Sequence, residues 1–296
     1  MSSFERKLSA RRSVSQTLYG YLALARISNS PTVVSNVLAG AALAGATAIN
    51  HTSGVLALAL VLFYTAGMYL NDLCDYAIDC RQRPERPLPA GSVSRTEATA
   101  IVLALFGSGS ALLWSVSLAA FLAGLLLTAL IVAYDLWHKS NPLSPVLMAS
   151  TRMMVYVSAF VSFSTQVAAA LVLWSALLGL YIVALTYIAK TEARPPVTQY
   201  WPAGALMLPA LVFLVQVATL PGLLVLVPFV GWVAYSLSFV YRRQQRSIGG
   251  AIARLIAGIS LLDSLVLALA GAWAGVLLAW LAFGVTLFFQ RYIKGT

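Results

Sequence analysis

Four polar side chains close an apolar segment in the stretch "YLNDLCDYAIDC", which covers residues 69–80. Each helical residue adds about 100° around the axis, so their spacing puts all four on one face. The members of this face are Asn71, Asp72, Asp75 and Asp79. Three carboxylates stacked over two turns repel one another, and no cation lies on the same face to neutralise them. Because Mg²⁺ binds carboxylate oxygens and keeps its other positions for water and substrate phosphates, the pattern predicts a magnesium site with the three aspartates as ligands.

The loop that follows, "RQRPERPLPAG", is rich in arginine and proline. Planar guanidinium groups form paired hydrogen bonds to phosphate oxygens. Arg83 and Arg86 are therefore predicted to bind a diphosphate beside the metal, with Asn71 orienting metal or phosphate. The alternative hypothesis is a solvated, salt-bridged helix end. Surface ion pairs do not require four polar residues on one helix face, and this favours the metal and diphosphate site.

Composition defines the elements that must position this site. The chain has 296 residues, of which 60% are apolar and 9% are charged, and its mean hydropathy is +0.85. A soluble domain has about 25% charged residues, whereas stretches of about 17–25 apolar residues cross a bilayer. The sequence therefore predicts a polytopic membrane protein, organised as one domain over 1–296. About ten spans are predicted, at 18–49, 54–74, 97–116, 119–137, 145–163, 167–188, 202–218, 221–240, 250–270 and 272–290.

Positive charge gives the predicted orientation in the membrane. Cytoplasmic loops collect Lys and Arg, and here those residues occupy the N-terminal segment, alternate loops and the C-terminal tail. Ten helices in an inner (cytoplasmic) membrane, with both termini in the cytoplasm, place all of these loop and tail charges on the cytoplasmic side. The net charge of +10 is then explained by contact with anionic membrane lipid, and no nucleic-acid partner is expected.

Charged and amide side chains inside the predicted spans are functional candidates, because their burial in hydrocarbon is costly. Arg26 and Asn36 lie in the inner half of the first span and are predicted to line a cavity, although Arg26 is also placed to snorkel to the interface. Arg152 lies about two turns into its helix and is predicted to bind substrate. Asp263 lies near mid-membrane and requires a partner other than Arg254, which falls on roughly the opposite face of the same helix.

The spacing NDxxDxxxD followed by RPxRPxxxG resembles the first signature of the UbiA superfamily of membrane prenyltransferases. The residues that carry it are Asn71, Asp72, Asp75, Asp79, Arg83, Pro84, Arg86, Pro87 and Gly91. The helical layout agrees over nearly the whole chain, although the family has nine helices as a rule and the tenth is a departure. The fragments "RISNSPTVVSNVLAG" and "RLIAGISLLDSLVLALAG" are similar to the subgroup of UbiA-like proteins called EboC.

This resemblance implies an all-α, polytopic transmembrane bundle of about 9–10 helices around a central cavity, and a reaction. Members bind a polyprenyl diphosphate through Mg²⁺, ionise it, and let the allylic cation alkylate a hydrophobic acceptor, often an aromatic ring or a lipid. The three aspartates would be catalytic metal ligands. Lys139 would reach the diphosphate, unless it serves only as an interfacial anchor. Tyr134 and Tyr187 would face the cation, since aromatic faces stabilise positive charge.

The second acidic motif of the family is reduced in this chain. Its equivalent reads "LTYIAKTEARPP", in which Glu192 is the sole acid. Two roles are open for this motif: Glu192 holds one metal ion, or Lys190 substitutes for one. The alternative function is a non-catalytic isoprenoid-diphosphate-binding or transport-associated membrane protein of a secondary-metabolite pathway. A secondary transporter is disfavoured, because its sites usually lie near the bilayer midplane and nearly every acid here is predicted at one membrane face.

Overall fold

The computed structural model describes residues 14–47, 49–139, 141–191, 199–217, 219–242 and 246–293, and within these ranges every regular element is a helix. In chain order the elements are α1 (Val14–Leu24), a 3-10 turn (Ile27–Asn29), α2 (Pro31–Leu43), α3 (His51–Gln82), α4 (Arg95–Val116), α5 (Leu118–Trp137), α6 (Ser144–Val161), α7 (Ala169–Ala189), α8 (Trp201–Gln216), α9 (Leu220–Tyr241), α10 (Ile248–Leu269) and α11 (Trp273–Gln290). The predicted all-α class is confirmed.

Most of these helices are long and apolar enough to cross a bilayer. Eight of the described helices meet that condition, namely α3 to α7 and α9 to α11, and α8 is a shorter apolar helix. Their outward surfaces carry large apolar side chains such as Leu126, Trp137 and Leu224. Lipid tails solvate such a surface and water does not, so the chain is a multi-pass membrane protein.

The first predicted span, 18–49, is divided into two helices. Arg26 adopts a left-handed backbone conformation, with φ of 41° and ψ of 44°, and this breaks the α-helical hydrogen-bond ladder after α1. The 3-10 turn follows, and Pro31 then takes the first position of α2, where a missing N–H group costs nothing. The break lies before Pro31, and it brings the Arg26 side chain to the side of α3.

Helix α3 is longer than a membrane span and extends the acidic motif beyond it. Its 32 residues cover about 48 Å, against a hydrocarbon core of about 30 Å. The side chain of Asn50 caps its start by accepting a hydrogen bond from the Ser53 amide at 2.8 Å. Asn71 lies 20 residues after His51, about 30 Å along the axis, so the acidic face begins where the hydrocarbon ends.

The interior is built around α2 and α10. Helix α2 packs against α3, α6, α10 and α11, and ten of its thirteen residues are buried. Helix α10 packs against α2, α7, α9 and α11. Most of the side chains between them are small or aliphatic, but α2 and α10 also bury Ser35, Asn36, Ser260 and Asp263. A polar contact between these helices therefore lies inside an otherwise apolar core.

Candidate functional site

A cavity of about 300 Å³ lies between α2, α3, α5, α6, α7 and α10. Its wall is mainly aliphatic, with Leu60, Ile131 and Ile256 among the lining residues. Four of the predicted site residues line it, namely Arg26, Asn71, Tyr134 and Arg152. The other polar lining residues are Asn29, Tyr64, Asp135, Thr151 and Thr186. The space is thus an apolar chamber with charged groups in its wall, next to the acidic end of α3.

The predicted acidic face of α3 points into the protein. Asp72 and Asp79 are 7% and 5% exposed, and Asp75 is half-buried between them. Arg86 bridges the outer pair, with its Nη1 atom 2.7 Å from Asp79 Oδ2 and 3.4 Å from Asp72 Oδ1. Arg26 Nη2 lies 3.1 Å from the same Asp72 oxygen. The cations that neutralise these carboxylates come from other segments of the chain.

The loop after α3 decides which arginine reaches the acids. It turns back through backbone hydrogen bonds from Ala90 to Arg86 O and from Ser92 to Pro87 O, and Gly91 allows the turn with a φ of 68°. This turn aims Arg86 at the acidic face. Arg83, the C-cap of α3, is exposed, and its side chain has no hydrogen bond or ion pair with any residue that the structure describes.

The end of α5 completes the site from the other side. Lys139 Nζ lies 2.7 Å from Asp75 Oδ1, and His138 Nε2 lies 3.6 Å from Asp75 Oδ2. Asn71 Nδ2 donates a 3.0 Å hydrogen bond to Asp135 Oδ1. The end of α5 that carries Lys139 therefore meets the acidic motif, at the predicted diphosphate end of the site.

The donor set fits Mg²⁺ better than a metal that needs a complete protein cage. Within the described ranges, no three acidic, histidine or cysteine side chains converge on one point. The carboxylates instead lie along one helix, each beside a cation. Mg²⁺ commonly takes one or two carboxylates and fills its other positions with water and substrate phosphates, so the residues present suit a metal that arrives with a diphosphate.

A polar network holds Arg152 at the cavity wall. Arg152 donates 2.9 Å hydrogen bonds to Asn36 Oδ1 and Thr32 Oγ1, and it lies over the Tyr64 ring at 5.6 Å. Asn36 Nδ2 in turn donates to both carboxylate oxygens of Asp263 at 2.9 Å. Asn36 therefore lies behind the cavity and positions the arginine. This network also supplies the partner that the sequence required for Asp263.

Two predicted residues of the α7 end, Lys190 and Tyr187, are not brought to this cluster. Lys190, at the end of α7, donates to Ser144 Oγ. Tyr187 donates a 2.7 Å hydrogen bond to Gln199 and packs on Trp201. Neither side chain lines the cavity. Glu192 lies outside the described residues.

Several polar residues of the site were given no role by the sequence. They are Thr32, Ser35, Tyr64, Asp135 and His138, of which all but Ser35 line the cavity or contact a residue that does. The available signal was the one used for Arg152: a polar or ionisable side chain within a predicted span is a functional candidate. Asp135 in particular meets that criterion, because it lies within α5 and is 5% exposed.

The contact between His138 and Asp75 makes stability depend on pH. The adjacent Asp75 carboxylate raises the pKa of His138 above its ordinary value. A raised pKa contributes stability that is fully present below the unfolded value of about 6.5 and is lost as pH rises through the folded value. We expect His138→Gln to lower the melting temperature near pH 6 and to have a smaller effect near pH 9, measured in detergent with EDTA.

The second histidine provides the control for this experiment. His51 is exposed at the first position of α3, with no ion pair among the residues described here. His51→Gln, which removes a histidine without a carboxylate partner among the described residues, is measured at the same two pH values as the matched control. An effect of His138→Gln that does not vary with pH would contradict a stabilising protonated histidine.

The apolar helical spans enclose an apolar cavity with acids and arginines at one end, and this arrangement defines a multi-pass membrane protein with an amphipathic cavity. A model of the UbiA prenyltransferase family matches residues 33–252. The chain belongs to this family, and the resemblance drawn from the acidic motif is confirmed. The finer similarity to the EboC subgroup stays a prediction.

Curated relatives share parts of the sequence. The digeranylgeranylglyceryl phosphate synthase of Methanoregula boonei is 34% identical over 177 residues, which cover 57% of this chain and 58% of that protein. The synthase of the same name from Thermococcus kodakarensis is 35% identical over 105 residues, covering 35% of this chain and 38% of its own length. The chain thus matches less than two thirds of the length of these relatives.

Solved structures share the fold over nearly their whole length. A UbiA homologue of Archaeoglobus fulgidus, bound to GPP and Mg²⁺, has a TM-score of 0.61 at 15% identity and covers 87% of this chain and 99% of its own. A structure of digeranylgeranylglyceryl phosphate synthase has a TM-score of 0.60 at 17% identity, covering 88% and 99%. At these identities the likeness establishes the shared fold.

Proposed function

We propose that this protein is an integral-membrane prenyltransferase, which transfers a polyprenyl group from an isoprenyl diphosphate to a hydrophobic acceptor with Mg²⁺. One observation carries the proposal: the buried acidic face of α3, already paired with Arg26 and Arg86, adjoins an apolar cavity. A prenyl diphosphate has the matching shape, with an anionic head for the charged end and an apolar tail for the chamber.

The residues of the acidic face have a shared role in this proposal. Asp72, Asp75 and Asp79 would hold the metal, which when bound would neutralise charge on the departing diphosphate. The cations that neutralise these carboxylates in the ligand-free protein, Arg26 and Arg86, then turn to the diphosphate oxygens. The metal would then neutralise the aspartates in place of the arginines, and the arginines would neutralise the diphosphate. Ligand binding therefore leaves no buried ion without a partner.

Other groups assist at the edges of the diphosphate site. Lys139, like the two arginines, would leave its carboxylate partner Asp75 and bind a phosphate oxygen. Asn71 would orient the diphosphate, and Arg83 would approach it from the loop after α3. Lys190, at the end of α7, is proposed to bind the diphosphate, because Thr186 and Ala189 of that helix line the cavity. Glu192 would serve as a further metal ligand.

The wall of the cavity protects the reacting carbon. When the carbon–oxygen bond to diphosphate breaks, an allylic cation forms that water would quench. The aliphatic lining excludes water, and the rings of Tyr64 and Tyr134 provide electron-rich faces for the cation. Tyr187 lies outside the cavity wall, where it donates a hydrogen bond to Gln199.

The acceptor and the cellular setting belong to the same proposal. The relatives are named for a product with two geranylgeranyl chains on a glyceryl phosphate, so a lipid-like hydroxyl compound is the first acceptor class to test. We place the protein in the inner membrane as one domain over 1–296, with both termini cytoplasmic and its basic loops on anionic lipid. The competing function is a non-catalytic diphosphate binder, favoured by the single acid Glu192 in the second motif.

Binding of the donor tests the diphosphate site without knowledge of the acceptor. We expect geranyl, farnesyl or geranylgeranyl diphosphate to raise the melting temperature of the purified protein with Mg²⁺ and not with EDTA. A ligand that binds only the folded state stabilises it by about 2.7 kcal/mol at 100 times its Kd. Asp72→Ala and Asp75→Ala should abolish the shift, and the exposed acid Glu97, which caps α4, offers Glu97→Gln as the matched control.

The outcomes separate the two functions. A magnesium-dependent shift followed by prenyl transfer to an added acceptor supports the enzyme. A shift without transfer to any acceptor supports the non-catalytic binder. No shift with any chain length, in folded protein, would contradict both.

A further inference from the structure

We propose that Asp135 is the proton acceptor of this reaction: its carboxylate removes the proton from a hydroxyl group of the prenyl acceptor inside the cavity. The inference rests on the proposed transferase function. It assigns a catalytic role to a residue outside both acidic motifs, and it restricts the acceptor to compounds whose reacting atom is a hydroxyl oxygen.

The two carboxylate oxygens of Asp135 have different surroundings. Oδ1 accepts the 3.0 Å hydrogen bond from Asn71 Nδ2. Oδ2 is fully buried and has no hydrogen-bond partner among the described residues. Asp135 is 5% exposed and lines the cavity. A buried carboxylate oxygen without a donor is costly, and rotation of the Asp135 carboxylate toward the cavity that this residue lines would let a ligand hydroxyl supply the missing donor.

Asp135 also differs from the acids of α3. Asp72, Asp75 and Asp79 each lie within ion-pair distance of Arg, Lys or His, whereas Asp135 has no such ion pair within the described part of the chain. Its carboxylate therefore requires no cation to be displaced before it accepts a proton. An unpaired carboxylate facing an apolar chamber is the arrangement of a general base.

A chain of hydrogen bonds fixes Asp135 relative to the diphosphate site. Arg26 Nη2 donates to Asn71 Oδ1 at 3.3 Å, and the Asn71 amide nitrogen then faces Asp135. The same Arg26 nitrogen contacts Asp72. Asn71 thus lies between Asp72 and Asp135, so the proposed base is one side chain away from the proposed diphosphate site.

The chemical step balances without a further reagent. The bond between the prenyl C1 atom and the diphosphate oxygen breaks, and its electron pair leaves with diphosphate. The acceptor oxygen forms a new bond to C1, while its O–H bond breaks and the proton passes to Asp135 Oδ2. Asp135 then loses this proton to water when the products leave.

Isosteric replacement tests the assignment. The probes are geranylgeranyl diphosphate with Mg²⁺ and three hydroxyl acceptors: a phenol, a long-chain alcohol, and a glyceryl phosphate with one geranylgeranyl ether and one free hydroxyl. The O-methylated form of the active acceptor is the substrate control. We expect Asp135→Asn to lower kcat by about 100-fold or more, and to retain the magnesium-dependent thermal shift with the donor. Glu97→Gln should retain both.

Chemical rescue distinguishes a base from a residue that only supports the fold. Asp135→Ala leaves space in the cavity, and added formate should restore part of its transfer rate, whereas chloride at equal ionic strength should not. This variant also serves if Asp135→Asn does not fold. Rescue is not expected for a purely structural role.

Each contrary result has a distinct meaning. Transfer by Asp135→Asn at a rate close to that of the unmodified protein, or a failure of formate to rescue Asp135→Ala, overturns the inference and leaves the transferase function standing. Loss of the magnesium-dependent shift in Asp135→Asn would make this carboxylate a metal ligand, and the inference would be wrong. An unmodified protein that transfers to none of the three acceptors overturns the transferase function and this inference with it.

Discussion

Arg86→Ala is expected to lower kcat/KM for the prenyl diphosphate by about 100-fold or more, a typical loss when a preorganised donor to a developing anion is removed. Arg83→Ala, three residues earlier in the same loop, should cost less than about tenfold, because exposed charge pairs contribute little. From the sequence, both arginines are predicted to bind the diphosphate. Their surroundings in the structure separate them.

The reason lies in where each guanidinium is held. Arg86 already contacts two carboxylates of the acidic face, so little conformational entropy is lost when it turns to a diphosphate at the same place. Arg83 is exposed and would have to be ordered from solvent. Arg86→Lys should fall between the two alanine variants, since an ammonium keeps the charge but not the paired geometry of guanidinium.

Steady-state transfer with varied donor concentration measures this difference. Melting temperatures in EDTA should be recorded beside the rates, because Arg86→Ala also leaves Asp72 and Asp79 with one cation fewer. Equal losses in Arg83→Ala and Arg86→Ala, with both variants folded, would show that the loop rearranges on ligand binding and that its ligand-free geometry does not select the arginine.

Asp263→Leu is expected to lower the free energy of unfolding by about 3 kcal/mol. Ser35, Asn36 and Tyr156 all donate to this carboxylate from neighbouring helices. Leucine would leave the three donors buried and unpaired, at about 1 kcal/mol or more each, although hydrogen bonds between membrane helices average somewhat less. Asp263→Asn should cost less, because its amide oxygen still accepts one of them.

A neighbouring serine gives the matched control for Asp263. Ser264 is equally buried on α10, but among the described residues its hydroxyl donates to Leu261 O of its own helix and to no side chain. Ser264→Ala should therefore change stability little in equilibrium unfolding from mixed micelles. If Asp263→Leu left the free energy of unfolding unchanged, the three donors to Asp263 would have found other partners within the core.

The acidic face could be predicted because its information is local. Asn71, Asp72, Asp75 and Asp79 lie within one helix, and helical periodicity fixes their common face whatever the rest of the chain does. The apolar spans were predictable for the same reason, since length and hydropathy are local properties. The helices of the structure follow most of the predicted spans closely.

The partners of these residues could not be predicted, because they depend on packing between distant segments. Arg26 is separated from Asp72 by 46 positions, and Asn36 from Asp263 by 227. Sequence patterns indicated only that such charges need partners. The pairing follows from the break after α1 and from the contact between α2 and α10, and neither leaves a periodic signal.

Position 26 is subject to two conflicting demands. Arg26 is the single non-glycine residue with a positive φ in the described chain, a conformation that costs a side-chain-bearing residue about 1–2 kcal/mol. Glycine would relieve the backbone strain but remove the guanidinium that links Asp72 and Asn71. Lysine would keep the positive charge and the backbone strain, but it would lose the planar guanidinium group that contacts both residues. Substitutions that raise stability at this position would therefore replace the arginine. We expect the strained arginine to persist only while selection maintains the charged end of the cavity.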